Sequence, residues 1–170
     1  MADTKTTALT NKATLATTDL VYLVSDPSGV PTSMKATVQA IINAMLADGS
    51  ALLQHVSFAA SDETTALTVG TAKITFRMPF AITVSEISFS VKTAATGAML
   101  TVDVLKNGVT VFSTVPTFDL GEKTTATATT PAVISDSAFA ADDEITIDIT
   151  QVGSTVAGAG LKGYFVGTQA

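Results

Sequence analysis

The chain has no cysteine, no tryptophan, one histidine and two tyrosines. Without cysteine there are no disulfides, no thiolate metal sites and no cysteine nucleophile. His55 is the only imidazole, so a metal site or a catalytic triad lacks the partners that a second imidazole or a thiol would supply; a packing or interface role is expected for it. Charge is scarce as well. Charged residues make up 14% of the chain, against about 25% in ordinary globular domains. Lys and Arg total 9 against 15 Asp and Glu, for a net charge of −6. The cations are scattered and form no basic stripe to neutralise phosphates, which disfavours nucleic acid as a partner. Apolar stretches are broken well before the roughly 20 residues a membrane-spanning helix needs. The polar start, MADTKTTALTN, carries no secretory pattern. A soluble chain is therefore expected, with no membrane insertion.

Thr, Ser and Ala fill the places that charges would hold. A surface of small hydroxyl side chains suits strand faces. It also suits a chain whose other faces are covered by copies or partners.

Residues 1–18 are polar and Thr-rich, with little periodicity, and read as an extended arm that a partner would order. Residues 19–50 read as a strand–turn–helix module. Leu20 to Val24 is a β-prone run, and Asp26-Pro27-Ser28-Gly29 is a turn signal. Pro31 keeps the return segment extended. Thr37 is placed to cap a helix, with Ser33 as the other candidate. Val38, Ile41, Ile42 and Met45 then follow the i, i+3, i+4, i+7 spacing of one helix face. Gly49 sits where a C-terminal cap belongs. A helix of about three turns is marginal alone in water, so its apolar face must dock on something.

From residue 51 to the end the apolar period is two. Val56 and Phe58, Ile74 and Phe76, Ile82 and Val84, the run from Glu86 to Lys92, and Leu100, Val102 and Val104 each alternate with polar neighbours. Ile145, Ile147 and Ile149 do the same, and a last strand lies near Leu161 to Val166. One-sided alternation marks antiparallel strands with one buried face. Asn107-Gly108 between two such runs specifies a two-residue hairpin. Ala94-Ala95-Thr96-Gly97 and Asp119-Leu120-Gly121-Glu122 are further turns. Lys123 to Thr130, a Thr/Ala tract, reads as an exposed loop or an edge strand. The predicted fold is mainly β: an antiparallel sandwich of the jelly-roll kind with about eight strands, preceded by the arm and the module.

Three groups of residues bear on chemistry. Gly158-Ala159-Gly160-Leu161-Lys162-Gly163 matches G-x-G-x-x-G, but that phosphate loop needs a helix after it, and a strand pattern follows here. Asp142-Asp143-Glu144 is the densest carboxylate cluster. It lacks the ligand spacing of a calcium loop, and neighbours on a strand point to opposite faces, so a solvated turn is expected. Asp103 and Asp148 fall on outward strand faces and make a weak acid pair. The sequence contains no assembled active site, so no catalytic residue, metal ligand or cofactor site is predicted.

The module Asp19-Leu20-Val21-Tyr22-Leu23-Val24, its turn, and Ser33-Met34-Lys35-Ala36-Thr37-Val38-Gln39-Ala40-Ile41 resemble the short N-terminal module of tailed-bacteriophage virion proteins. GTAKITFRMPF (Gly70 to Phe80), Leu105-Lys106-Asn107-Gly108 and Ala141-Asp142-Asp143-Glu144-Ile145-Thr146 are similar to patterns in jelly-roll domains displayed on phage particles. The resemblance implies a non-enzymatic structural protein of the virion, made in the host cytoplasm and assembled as a homotrimer. Its implied partners are copies of itself and phage capsid or tail proteins. Capsid decoration, as a cement or head-spike protein, fits the short chain best. A tail-fibre knob that recognises a host surface glycan is the alternative, and a β-sandwich hydrolase is the remote one. The expected oligomer and attachment interface consists of Leu20, Tyr22, Val24, Val38, Ile41, Ile42 and Met45.

Overall fold

A computed structural model describes residues 16–25, 32–47 and 53–169. The chain divides into two compact units, Met1–Ala51 and Leu52–Ala170. The Asp26–Gly29 turn, the Gly49 cap and most of the N-terminal arm lie outside the described residues.

In the first unit, β1 (Leu20–Ser25) and β2 (Thr32–Thr37) form an antiparallel pair that leads directly into helix α1 (Val38–Ala47). The Thr37 hydroxyl accepts from the Ala40 backbone N–H at 3.0 Å. Thr37 is thus the helix cap, satisfying one of the four donors that a helix start leaves open. The entry is held a second time, where Val38 N donates to Asp19 O at 2.9 Å and Gln39 N to Thr17 O at 3.0 Å. LVYLV is apolar on both faces, so only the register reveals which residues lie across from one another. Leu20, Tyr22 and Val24 lie across from Thr37, Lys35 and Ser33, and Val21 and Leu23 across from Ala36 and Met34.

The second unit is an antiparallel β-sandwich. Its long strands are β3 (Leu53–Ala59), β4 (Gly70–Arg77), β5 (Ile82–Ser90), β6 (Leu100–Lys106), β12 (Glu144–Gln151) and β13 (Lys162–Gln169). Between them run the short pieces β7 (Val109–Thr110), β8 (Phe112–Thr114), β9 (Thr117–Phe118), β10 (Val133–Ile134) and β11 (Ala138–Phe139). The first sheet has the order β11-β5-β13-β3. The second has the order β4-β12-β6-β7, with β9 also on β6, while β8 and β10 pair separately.

The alternating residues meet between the sheets. Ile82, Val84, Ile87 and Phe89 of β5 and Phe165 of β13 are buried, as are Leu100, Val102 and Val104 of β6 and Ile145, Ile147 and Ile149 of β12. Each such side chain contributes about 1.5–3 kcal/mol when fully removed from water. Aromatic rings close one side of the core. Phe58 of β3 lies 5.3 Å from Phe76 of β4 and 5.7 Å from Phe165. Phe165 in turn meets Phe76 and Phe139 edge-on.

Two alternating runs expected separately, Ile82/Val84 and Ile87/Phe89, form one strand. They are out of phase because β5 shifts register against β13 between Glu86, opposite Val166, and Val84, opposite Gly167. The extra residue, Ser85, makes a bulge that returns both apolar sets to the core face. The Asn107-Gly108 hairpin forms as expected: both residues have positive φ (51° and 84°), and Lys106 pairs with Val109. The Thr/Ala tract is a loop, but it is anchored. Thr125 is buried, its hydroxyl accepts from Phe89 N at 2.9 Å, and its own N–H donates to Phe89 O at 3.0 Å.

Candidate attachment surface

No described side chain of α1 is buried. Val38 and Ile41 are half-buried, and Ile42 is 38% exposed. The i, i+3, i+4 positions thus stand on one helix face as expected, and that face still meets solvent. Leu20, at the start of β1, is 56% exposed. Tyr22 and Val24 share its strand face, but their side chains, like that of Met45, lie outside the described residues. On the polar side of the helix, Gln39 Nε2 donates to Asn43 Oδ1 at 2.7 Å, an i, i+4 pair that steadies a short helix.

His55 is exposed on the outward face of β3. Its ring centroid is 5.5 Å from that of Tyr164 on β13, and the Tyr164 hydroxyl donates to Glu86 Oε1 on β5 at 2.8 Å. The row His55–Tyr164–Glu86 crosses three strands of one sheet. It borders an open depression of about 380 Å³ lined also by Ser57, Ser90 and Lys162. Lys162 is ion-paired to Glu63, and this pairing lowers the Glu63 pKa. The row escaped the sequence because it depends on β3 and β5 flanking β13, pairings between residues far apart in the chain that no local pattern records.

The carboxylate cluster works as a structural turn. Asp142 has a φ of 69°. Asp143 Oδ1 accepts from Asn107 Nδ2 at 2.8 Å and its Oδ2 accepts from Ala140 N at 2.7 Å. These two bonds, with Asn107 the larger influence, hold the Asp143 pKa below the ordinary carboxylate value. Glu144 pairs with Arg77 at 3.1 Å. Among the described residues, no three His, Asp or Glu side chains are grouped to hold a metal ion. Asp148 Oδ1 accepts from Ala72 N at 2.7 Å and Asp103 Oδ1 from Thr110 Oγ1 at 2.6 Å, so each serves the backbone or a neighbouring strand. The glycine motif leads into β13. Gly158 and Gly160 have positive φ, and Ala159 between them bridges to Ala66 and Thr93.

Asp62 and Asp119 act in the same way as Asp143. Backbone and side-chain hydrogen bonds from Thr65 and Thr64 hold Asp62 far below the usual carboxylate range. Thr129, through its hydroxyl and then its N–H, lowers Asp119. Each closes a loop of the sandwich by accepting from backbone donors.

Comparisons with protein-family models, with curated proteins and with solved structures find no match to this chain.

Proposed function

We propose that the chain is a non-enzymatic structural protein of a tailed-bacteriophage particle, a capsid decoration or head-spike protein. In this reading the N-terminal unit attaches and the sandwich is displayed outward. The observation that carries the proposal is the α1 face, whose described apolar side chains remain partly open to water although the helix is capped by Thr37 and held at its entry by the carbonyls of Thr17 and Asp19. A ten-residue helix gains most of its stability by burying such a face. Neighbouring chains, in a homotrimer or on the particle, supply the burial. The resemblance of the strand–turn–helix module to phage virion modules supports the same placement.

The mechanism is mechanical. A protein that binds only the assembled lattice stabilises it by mass action, by roughly 2.7 kcal/mol per site at a hundredfold excess over Kd. The test is co-sedimentation with particles that lack the protein. The full chain pellets with them. A chain beginning at Leu52 keeps its β-sheet circular dichroism, because among the described residues every buried apolar side chain lies between Leu67 and Phe165, and stays in the supernatant. Pelleting of the shortened chain overturns the attachment assignment.

The depression beside Tyr164 and His55 favours a second reading, a tail-fibre knob. Aromatic faces bordered by hydroxyls and a lysine are the lining that sugars use. Reproducible binding of one host-surface glycan on an array, lost in Y164A, would place the knob reading first.

A further inference from the structure

Among the described residues each sheet has one long edge strand, β3 in one and β4 in the other, opposite the short edge pieces β11 and β7, and the contact between Phe58 and Phe76 places both long edges on the same side. They are built differently. β4 carries Lys73 and Arg77, Ala72 sits at a φ of 48°, and its pairing with β12 shifts register between Ile147 and Ile149. Charge and irregularity of this kind keep an edge from accepting another strand. β3, LQHVSFA, has no charged residue, no proline and no glycine, and pairs with β13 without a shift from Ala59 to Leu53. Among the described residues no strand covers its outer edge.

The direction of its backbone groups follows from one bond. Ala60 N donates to Leu161 O at 2.8 Å. Along an antiparallel ladder the groups alternate sides, so those of Phe58, Val56 and Gln54 face β13. Those of Leu53, His55, Ser57 and Ala59 face away from the sheet. All four of these residues are exposed, Leu53 at 63%.

We infer that the outer edge of β3 pairs antiparallel with β3 of a second copy about a twofold axis at Val56. The edge fits itself. A twofold at Val56 sets His55 opposite Ser57 and Leu53 opposite Ala59 of the other copy. Every outward-facing N–H then meets an outward-facing C=O, in about eight hydrogen bonds. Odd positions meet odd positions, so core faces stay on the core side, and half-buried Val56 and Phe58 gain the other copy's Val56 and Gln54 beside them. No like charges face one another, although the whole chain carries −6. A charged strand from a different protein would find no opposite charge on β3 to select it. This contact uses β3 and not α1, and it joins chains in twos; two trimers that pair through it about a common axis make a hexamer.

Sedimentation equilibrium of the full chain tests it. The wild-type mass is an even multiple of 17.3 kDa. The variant S57P halves that mass and keeps its β-sheet circular dichroism, because the Ser57 N–H points away from β13. A monomer, a trimer, or a folded S57P chain of unchanged mass overturns the inference. V56C gives an independent readout in a chain that otherwise has no cysteine. At a twofold, the two copies of this position have Cα atoms about 4.5 Å apart, within disulfide reach. Mild oxidation gives a covalent dimer; a chain that stays single on a non-reducing gel overturns the pairing, including where S57P does not fold.

Discussion

Asn107 and Asp143 lock the β6–β7 hairpin to the start of β12. The Asn107 amide donates to Asp143 Oδ1 at 2.8 Å, its side-chain oxygen accepts from Glu144 N at 3.0 Å, and its backbone N–H donates to Glu144 O at 2.8 Å. One residue therefore satisfies the positive φ of the turn and joins it to the next strand. N107D keeps the turn, because Asp tolerates that backbone region. It replaces the donor with a carboxylate facing another carboxylate. A loss of about 1 kcal/mol is expected at pH 7, read by urea denaturation, and a smaller loss where carboxylates are protonated. Equal stability of N107D and wild type at pH 7 would show that the clamp contributes nothing.

Gly163 on β13 packs directly against two phenylalanine rings, with no room for a side chain. A Cβ there would lie 2.6 Å from Phe58 Cζ and 2.8 Å from Phe89 Cδ1. Both rings belong to the aromatic side of the core, where neighbours hold them in place. G163A should cost about 1–3 kcal/mol through overpacking and lower the melting temperature. An unchanged melt would mean that the rings move aside freely.

Stability should fall in acid. Asp62, Asp119 and Asp143 all have folded pKa values below their ordinary ones, because backbone and side-chain donors bond their charged forms. A depressed folded pKa contributes stability that is complete above the unfolded value, about 3.9. That contribution is lost as pH falls through the folded value. The melting temperature should hold between about pH 5 and 7 and drop below about pH 4. D119N, which gives up the charged acceptor of Thr129 N and Oγ1, should flatten part of that drop. A drop identical to wild type in D119N would remove Asp119 from the account.

The sandwich was legible because period-two alternation is a direct consequence of one buried face. Ile145, Ile147 and Ile149 gave β12 and its core side at once, and Asn107-Gly108 gave the hairpin. The Ser85 bulge was present in the letters as a phase break between Val84 and Ile87, which reads as two strands until β13 is placed beside them. About eight strands were expected. Among the described residues of the sandwich six long strands and five short pieces form; the excess escaped because pairs such as Val133–Ile134 are too brief for any period to show. The anchoring of Thr125 was hidden for a different reason: a threonine in a loop announces its burial only through a distant partner, here Phe89. For the candidate attachment surface, the helix face could be read from spacing. The faces of LVYLV could not, since an all-apolar strand has no alternation to orient it.

The central claim is that the apolar side of α1 is covered by other chains, and Ile42 tests it most directly. At 38% exposure, I42D changes little within one chain. The measurement is co-sedimentation of wild type and I42D with particles that lack the protein. The account predicts that the two chains melt at the same temperature, that wild type pellets with the particles and that I42D remains in solution. Equal pelleting of both would contradict it.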